Sequence, residues 1–343
     1  MSKMNKYQEI VSSISRKILS GEYPPGMKLP GQFALAEEYK VSAITSNRAL
    51  NELRNIGFLE RRERSGSYVV DEPPLFLELL IVFEGTFSRK DLSRQNFWLA
   101  DYWQGASFQA ERKNIKVQLI FASDSDFEAK LFNDPIGKAV IFLGFEPKKL
   151  IKRLEKIKVP CVVAALKAES AKYSVLENRF DATVEILKKM RQDGCSKISM
   201  IADLEQPNHQ FAAQGYQHAI ESLGLEDLGI HSTTPETLGS TLPELLEKSG
   251  GLPDGLVIMG GKLPFMALPY LMKLPKHPAL GFFCENSTVA GLRQFAYVAS
   301  YSQYEVGELA FKMLCQLSAN QVLEPGAYYP KFEILEPPKS QNL

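Results

Sequence analysis

Seven short apolar runs punctuate the later part of the chain: FLELLIVF (76–83), VQLIFA (117–122), AVIFLGF (139–145), CVVAAL (161–166), KISMIAD (197–203), GLVIMG (255–260) and PALGFF (278–283). Stretches with helical periodicity separate several of them, at 98–113, 180–193, 210–223 and 304–317. A buried strand that needs a helix before the next buried strand forms a parallel sheet covered on both faces. In a chain of 343 residues, two such sheets are more plausible than one. The runs are far too short to span a bilayer, and MSKMNKYQEI lacks the apolar region of a signal peptide, so a cytoplasmic protein without a membrane partner is expected. The four cysteines (Cys161, Cys195, Cys284, Cys315) are widely spaced with no C-x-x-C, which indicates reduced core thiols rather than disulfides or zinc ligands.

Residues 1–70 are different. They carry eleven Lys/Arg against seven Asp/Glu, whereas the rest carries 29 against 33, so a basic module precedes an acidic one although the formal net charge is zero. Tyr7, Ile10, Val11, Ile14 and Ile18 fall three or four apart and predict one amphipathic helix ending at Gly21. GEYPPGMKLPG forces a turn-rich connection, Gln32 to Tyr39 predicts a second helix, and Ser42 caps a third that runs to Ile56 and stops at Gly57. On that third helix Ala49, Leu53 and Ile56 share one side. Ala43, Ile44, Asn47, Arg48, Asn51 and Arg54 share the other. Amide and guanidinium groups can make the paired hydrogen bonds that separate adenine from guanine in a major groove, and Ile44 could meet a thymine methyl. FLERRE and SYVV then predict a hairpin joined through Arg64, Ser65 and Gly66, with Arg61 and Arg62 placed to lie along phosphates or enter a minor groove.

These residues carry a resemblance. Gly21, Pro25, Gly26, Leu29 and Pro30, then Arg48, Ala49, Leu50 and Leu53, then Gly57, Leu59 and Arg62, and finally Gly66, Ser67, Tyr68 and Val69 follow the pattern of the winged helix-turn-helix of the GntR family of bacterial transcription regulators. The resemblance covers residues 7–70 and implies binding of double-stranded DNA through Ser42, Ala43, Ile44, Thr45, Asn47, Arg48, Asn51, Arg54, Arg61, Arg62, Arg64, Ser65 and Gly66. Phe33 and Ala43 stand where the family commonly has DNA-contacting arginines, Asn47 stands where many members have another, and Arg64 replaces the first of two wing glycines. An operator unlike the common family pattern is therefore expected.

Asp71, Glu72, Pro73 and Pro74 read as a short stiff linker between a head (1–70) and a body (75–343). The body resembles, through weaker motifs, the two-lobed α/β effector domain shared by LacI-type repressors and type I periplasmic sugar-binding proteins. The matching pieces include Glu177 and Asn178, Gly215 and Tyr216, Pro253 and Asp254, and Gly281 and Phe282. A GntR-type head on such a body resembles the arabinose-repressor branch. It implies a homodimer made largely through the body, and a small-molecule effector in a cleft at the carboxyl ends of the strands. Ala165, Ala212, Gly261 and the Phe283–Cys284 pair replace the Asp, Arg, Asp and Asp-Asp that clamp sugar hydroxyls in that family. Either a less hydroxyl-rich ligand is held by new groups, or the body has lost its ligand and serves only dimerisation. Candidate contacts are the aromatic Phe87, Trp98 and Phe283, with Glu84, Lys167, Glu177, Asp203 and Glu285 as polar groups near strand ends.

No catalytic residues are expected: the four histidines are scattered, and there is no G-x-S-x-G, H-E-x-x-H or P-loop, MGGK at 259–262 being a strand-end turn. No cofactor or metal is implied. The expectation is a transcription regulator, a repressor before an activator, on a palindromic operator, with carbohydrate metabolism as the guess for its biology.

Overall fold

The computed structural model describes residues 6–62, 65–84, 98–133, 135–248, 253–260, 262–285 and 289–338. Arg64, Phe87 and Gly261 lie outside the described residues, as do the side chains of Trp98 and Glu285.

The head opens with α1 (Lys6–Leu19), whose Ile10, Ile14 and Ile18 repeat every fourth residue and are buried. After the Pro24–Pro25–Gly26 turn, residues 26–29 run back through the head before α2 (Gln32–Glu38) and α3 (Ala43–Asn55). Gly57, at φ +84°, takes the left-handed conformation that ends α3 without the clash a side chain would bring. A two-stranded wing follows, β1 (Leu59–Arg62) antiparallel to β2 (Gly66–Val69). Residues 26–29 lie on its other edge: Gly26 N–H donates to the Val69 carbonyl (3.0 Å), Val69 N–H to Met27 (2.9 Å) and Leu29 N–H to Ser67 (2.9 Å). The Pro-Gly turn therefore has a geometric purpose, which is to bring this segment onto the wing. Leu35, Ala49, Leu53, Phe58 and Val69 close the head's core around the α1 isoleucines.

Residues 71–74 have neither helix nor strand. Beyond them, the Leu77 and Glu78 N–H groups both donate to the Gly137 carbonyl, at 2.7 and 3.0 Å. A Cβ on Gly137 would come 3.0 Å from the Leu19 side chain, so the end of α1 rests beside the start of the first lobe.

The first lobe contains β3 (Glu78–Phe83), α4 (Trp98–Arg112), β4 (Lys116–Phe121), α5 (Phe127–Phe132), β5 (Lys138–Leu143), α6 (Lys148–Lys156), β6 (Cys161–Ala164) and β7 (Tyr173–Val175). The second contains α7 (Arg179–Gln192), β8 (Lys197–Ala202), α8 (Pro207–Leu223), β9 (Glu226–Ser232), α9 (Leu238–Lys248), β10 (Gly255–Met259), α10 (Leu263–Leu271), β11 (Ala279–Glu285), α11 (Val289–Leu292) and β12 (Ala296–Tyr301). The chain then runs through α12 (Gln303–Ser318) to β13 (Gly326–Tyr328) on the first sheet and β14 (Glu333–Leu335) on the second. The strand orders are β13-β7-β6-β5-β3-β4 and β14-β12-β11-β10-β8-β9. The pairs from β3 to β7 and from β8 to β12 are parallel. By contact the chain forms two compact units, Met1–Val175 with Gly307–Ala327, and Leu176–Val306 with Tyr328–Leu343.

All seven apolar runs are strands, and all four periodic stretches are helices. Missing from the expected strands are β7, β9, β12, β13 and β14. Polar residues and a glycine interrupt β9, and β12 is fully buried although half of AYVASY is Ala or Ser. Prolines hide two helices, Pro243 inside α9 and Pro264 and Pro269 in α10.

The degenerate body motifs have structural explanations. Asn178 caps α7 by accepting from Asp181 N–H at 3.1 Å. A Cβ on Gly215 would sit 2.4 Å from the Phe180 carbonyl, so glycine lets α8 lie against the start of α7. Tyr216 is fully buried, and its hydroxyl donates to the Ile198 carbonyl (2.8 Å) and to Asp227 (2.7 Å). The Asp254 carboxylate accepts from Ser196 N–H (3.0 Å), Ser196 Oγ (2.8 Å) and Lys197 N–H (3.1 Å), tying the start of β8 to the start of β10.

Among the described residues, no helix is long and apolar enough to cross a membrane, and no group of three or more His, Cys, Asp or Glu could hold a metal.

Candidate nucleic-acid interface and ligand site

The start of α3 is set by side chains. Ser42 Oγ accepts from Thr45 N–H at 3.1 Å and shares a hydrogen bond with Thr45 Oγ1 at 2.8 Å, so both hydroxyls hold the helix end. Ser46 is fully buried and donates towards the Gln32 (2.6 Å) and Ala43 (3.0 Å) carbonyls, fixing α2 against α3. Nothing in the polar face pattern pointed to Ser46; its position three residues before Ala49 and seven before Leu53, on the inner side of the helix, was the only available signal.

The opposite face is open. Ile44 is 82% exposed, Arg48 and Arg54 are exposed, and Ala43, Asn47 and Asn51 are partly so. Arg48 leans back, its guanidinium carbon 4.0 Å from the Tyr7 ring centre on α1. Such a stack at an exposed site stabilises by about 0.5–1 kcal/mol, which orients the group without locking it. Phe33, at the start of α2, is 73% exposed and presents a bare aromatic ring on the same module.

On the wing, Arg61 and Gly66 are exposed and Ser65 bonds the Tyr68 hydroxyl at 2.6 Å. Arg62 is engaged: its Nε donates to Glu60 at 2.7 Å and its guanidinium lies 4.4 Å from the Tyr68 ring centre. Between α3 and the wing is a groove of about 420 Å³ lined by Lys28, Asn47, Asn51, Arg54, Arg61 and Ser65, among others, with Glu60 as its acid. Three cations facing one carboxylate across a groove of this size suit a sugar-phosphate backbone.

In the body, the strand orders place a topological switch point between β3 and β5 in the first lobe and between β8 and β10 in the second. In open α/β sheets, ligands sit outside the carboxyl ends of strands at such points. Glu84 is exposed directly after β3, and Lys167 is exposed in the loop after β6. Ala165 is buried at φ +61°, a conformation that Asp or Gly takes more easily than Ala. Ala212 is fully buried inside α8, and Cys284 is 6% exposed.

The second lobe brings together groups that the sequence reading did not connect. Asp203 follows β8 and Gly260 follows β10, and His209 on α8 bridges them: its Nδ1 lies 2.9 Å from the Asp203 carbonyl, and a Cβ on Gly260 would lie 3.4 Å from its Cε1. Burial first, and the Arg179 charge second, push the imidazole down to about 4 against the opposing pull of the Asp203 carbonyl. His209 is therefore neutral at pH 7, with Nδ1–H donating. Phe283, at the end of β11, stacks on Tyr301 at 4.4 Å between ring centres with planes 17° apart. The Arg179 guanidinium lies on that pair, 4.7 Å from Phe283 and 6.0 Å from Tyr301. Phe283 and Glu177 are each only 2% exposed, so the accessible group on the stack is Arg179 rather than Phe283. Arg179, His209 and Tyr301 were absent from the candidates because scattered single residues give no local pattern.

Residues 6–69 match the family described as bacterial regulatory proteins, gntR family. The chain is 39% identical over 71 residues to the uncharacterized HTH-type transcriptional regulator YdfD of Bacillus subtilis, covering 21% of this chain and 15% of that protein. It is 39% identical over 66 residues to the mannosyl-D-glycerate transport/metabolism system repressor MngR of Escherichia coli (19% and 28%), and 35% over 65 residues to the histidine utilization repressor of Klebsiella aerogenes (19% and 27%). The matched stretch thus spans less than a third of those curated relatives. Among solved structures, the fold is similar to the transcription regulator CcpA of Lactococcus lactis, with a TM-score of 0.56 at 18% identity over 75% of this chain and 97% of that one. It is also similar to the lac repressor dimer bound to operator and the anti-inducer ONPF, with a TM-score of 0.60 at 10% identity over 76% and 93%. These likenesses establish a two-lobed α/β body of the LacI type.

Proposed function

From a head whose residues 6–69 match the gntR family, we propose that this chain is a DNA-binding transcription repressor whose body binds a small-molecule effector. The observation that carries the reading is the pairing of an open α3 face with a basic groove beside the wing. Asn47, Asn51 and Arg54 supply donors for base edges, Ile44 supplies an apolar contact, and Lys28 and Arg61 supply charge for phosphates. The head is residues 1–70, the linker 71–74 and the body 75–343.

The active species is a homodimer on a palindromic site in the cytoplasm, with one α3 in each of two successive major grooves. Support for a second copy comes from α10, whose inner residues Leu263, Ala267 and Leu271 are buried while Phe265 (42%), Met266 (40%) and Tyr270 (49%) are exposed. The effector binds at the carboxyl ends of the body's strands and shifts the DNA affinity by its differential affinity for two forms of the dimer, typically about 1–3 kcal/mol.

The test is selection. Full-length protein is incubated with fragmented DNA from its own source at moderate salt, and the bound pieces are sequenced. Enrichment of a few palindromic sites is the expected result; recovery that follows fragment abundance alone overturns the reading. The genes beside the enriched sites then nominate effectors.

A further inference from the structure

We propose that the second lobe's ligand site is an anion site, in which Arg179 takes a carboxylate or phosphate group of the effector. The proposal rests on the effector-binding reading above and specifies the chemistry of its ligand.

Three observations converge on it. First, Arg179 is half-buried with its Nε shielded from solvent, yet that Nε has no hydrogen-bond partner and no described carboxylate forms an ion pair with the guanidinium. Arginine has five N–H donors in a fixed fork, and a shielded donor of a charged group left without a partner is destabilising. Second, the guanidinium is held in place by the Phe283–Tyr301 stack, which supports its flat face and leaves the N–H edge to meet a planar or tetrahedral anion. Third, Arg179 acts electrostatically on His209, which sits at the β8–β10 switch point, so the charge is felt where a ligand of this sheet would lie. The Asp203 carboxylate accepts from Glu205 N–H at 3.2 Å and makes no described ion pair with Arg179.

The same features disfavour a neutral polyol. Sugar hydroxyls are gripped by carboxylates and amides that accept as well as donate, whereas a guanidinium only donates. The buried alanine at 212 offers no grip, and His209 is limited by its Asp203 bond to one free acceptor nitrogen.

The head groove also attracts anions, so the test needs a probe inside the second lobe. The chain has four histidines, and isotope-labelled histidine in the full-length protein gives a simple spectrum in which a His209→Gln variant assigns His209. Inorganic phosphate and acetate are titrated separately against chloride at constant ionic strength. A saturable His209 shift with either anion, at least tenfold weaker in Arg179→Gln and partly restored in Arg179→Lys, is the expected result. The anion that acts identifies the group. A His209 signal that neither anion moves, or that moves equally in Arg179→Gln, overturns the proposal. Unchanged signals from the other histidines show that the variants remain folded. DNA selection by the head is read separately, so failure of the anion site and failure of the regulator reading are distinguishable.

Discussion

Arg61 and Arg62 are neighbours with the same charge, but the structure gives them different freedom. Arg62 is occupied by Glu60 and Tyr68, while Arg61 is exposed on the wall of the groove. Arg61→Ala should therefore weaken binding to all DNA sequences alike and reduce the slope of log affinity against log salt by nearly one, and Arg62→Ala should reduce it less. Asn47→Ala or Asn51→Ala should instead cost about 1–3 kcal/mol on the preferred site and relax the preference at one base pair. Fluorescence anisotropy at several salt concentrations checks both statements.

Acid sensitivity also begins with single residues. Burial alone would raise the Glu146 carboxyl, but donors from the Ser170 hydroxyl and the N–H groups of Ser170, Glu169 and Ala171 hold it at about 2. Its folded value is below its ordinary 4.5, so its stabilisation is full above 4.5 and fades as pH falls towards 2. His209, lowered from 6.5 to about 4, likewise contributes fully above 6.5 and loses its contribution as pH falls through 4, because the unfolded chain takes the proton first. Melting temperature should decline in two stages on acidification. Glu146→Gln should remove the lower stage and His209→Gln the upper one.

At the level of elements, close contacts decide which substitutions the fold tolerates. Ser46→Ala removes the bonds that set α2 against α3 and should cost about 1–2 kcal/mol, with a loss of DNA affinity beyond what the stability change explains. Gly215→Ala forces α8 away from the Phe180 carbonyl, and Gly307→Ala does the same to α12, where a Cβ would lie 2.0 Å from the Tyr102 carbonyl. Each should cost about 1–3 kcal/mol in urea denaturation without changing the operator sequence selected.

This scale also shows what the sequence disclosed. Elements with strong periodicity and high apolar content, such as α1, β3 and β10, were legible because burial itself writes the pattern. The head was legible to individual residues, since its turn glycines, cap and core spacing are all local. By contrast half of the buried β12 is Ala or Ser, and α10 carries Pro264 in its first turn and Pro269 in its last, so tertiary packing overrides their local signals. The proposed ligand site lies at the far extreme. Arg179, His209 and Tyr301 come from three separate elements, and only the strand order brings them together.

For the whole molecule, dimerisation and DNA binding are expected to fail together. Phe265→Ser with Tyr270→Ser removes exposed apolar surface from α10 without touching its buried side. Light scattering should then show a monomer at concentrations where the parent chain is a dimer. Operator affinity should fall to that of a single head, while a half-site is bound as before.

The connector at 71–74 has a consequence for the DNA rather than for the protein. Four residues, two of them proline, reach little more than about 13 Å, and the end of α1 already rests beside Gly137 of the first lobe. In the proposed dimer a head on so short a tether cannot wander to find its target, so the body would act as a ruler for the distance between operator halves. One base pair added to the spacer turns the second half by roughly 34–36° about the duplex, since a turn holds about 10–10.5 base pairs. The protein should thus forgive a mismatched base more readily than an altered spacer, and its genomic sites should be uniform in spacing even where they vary in letters.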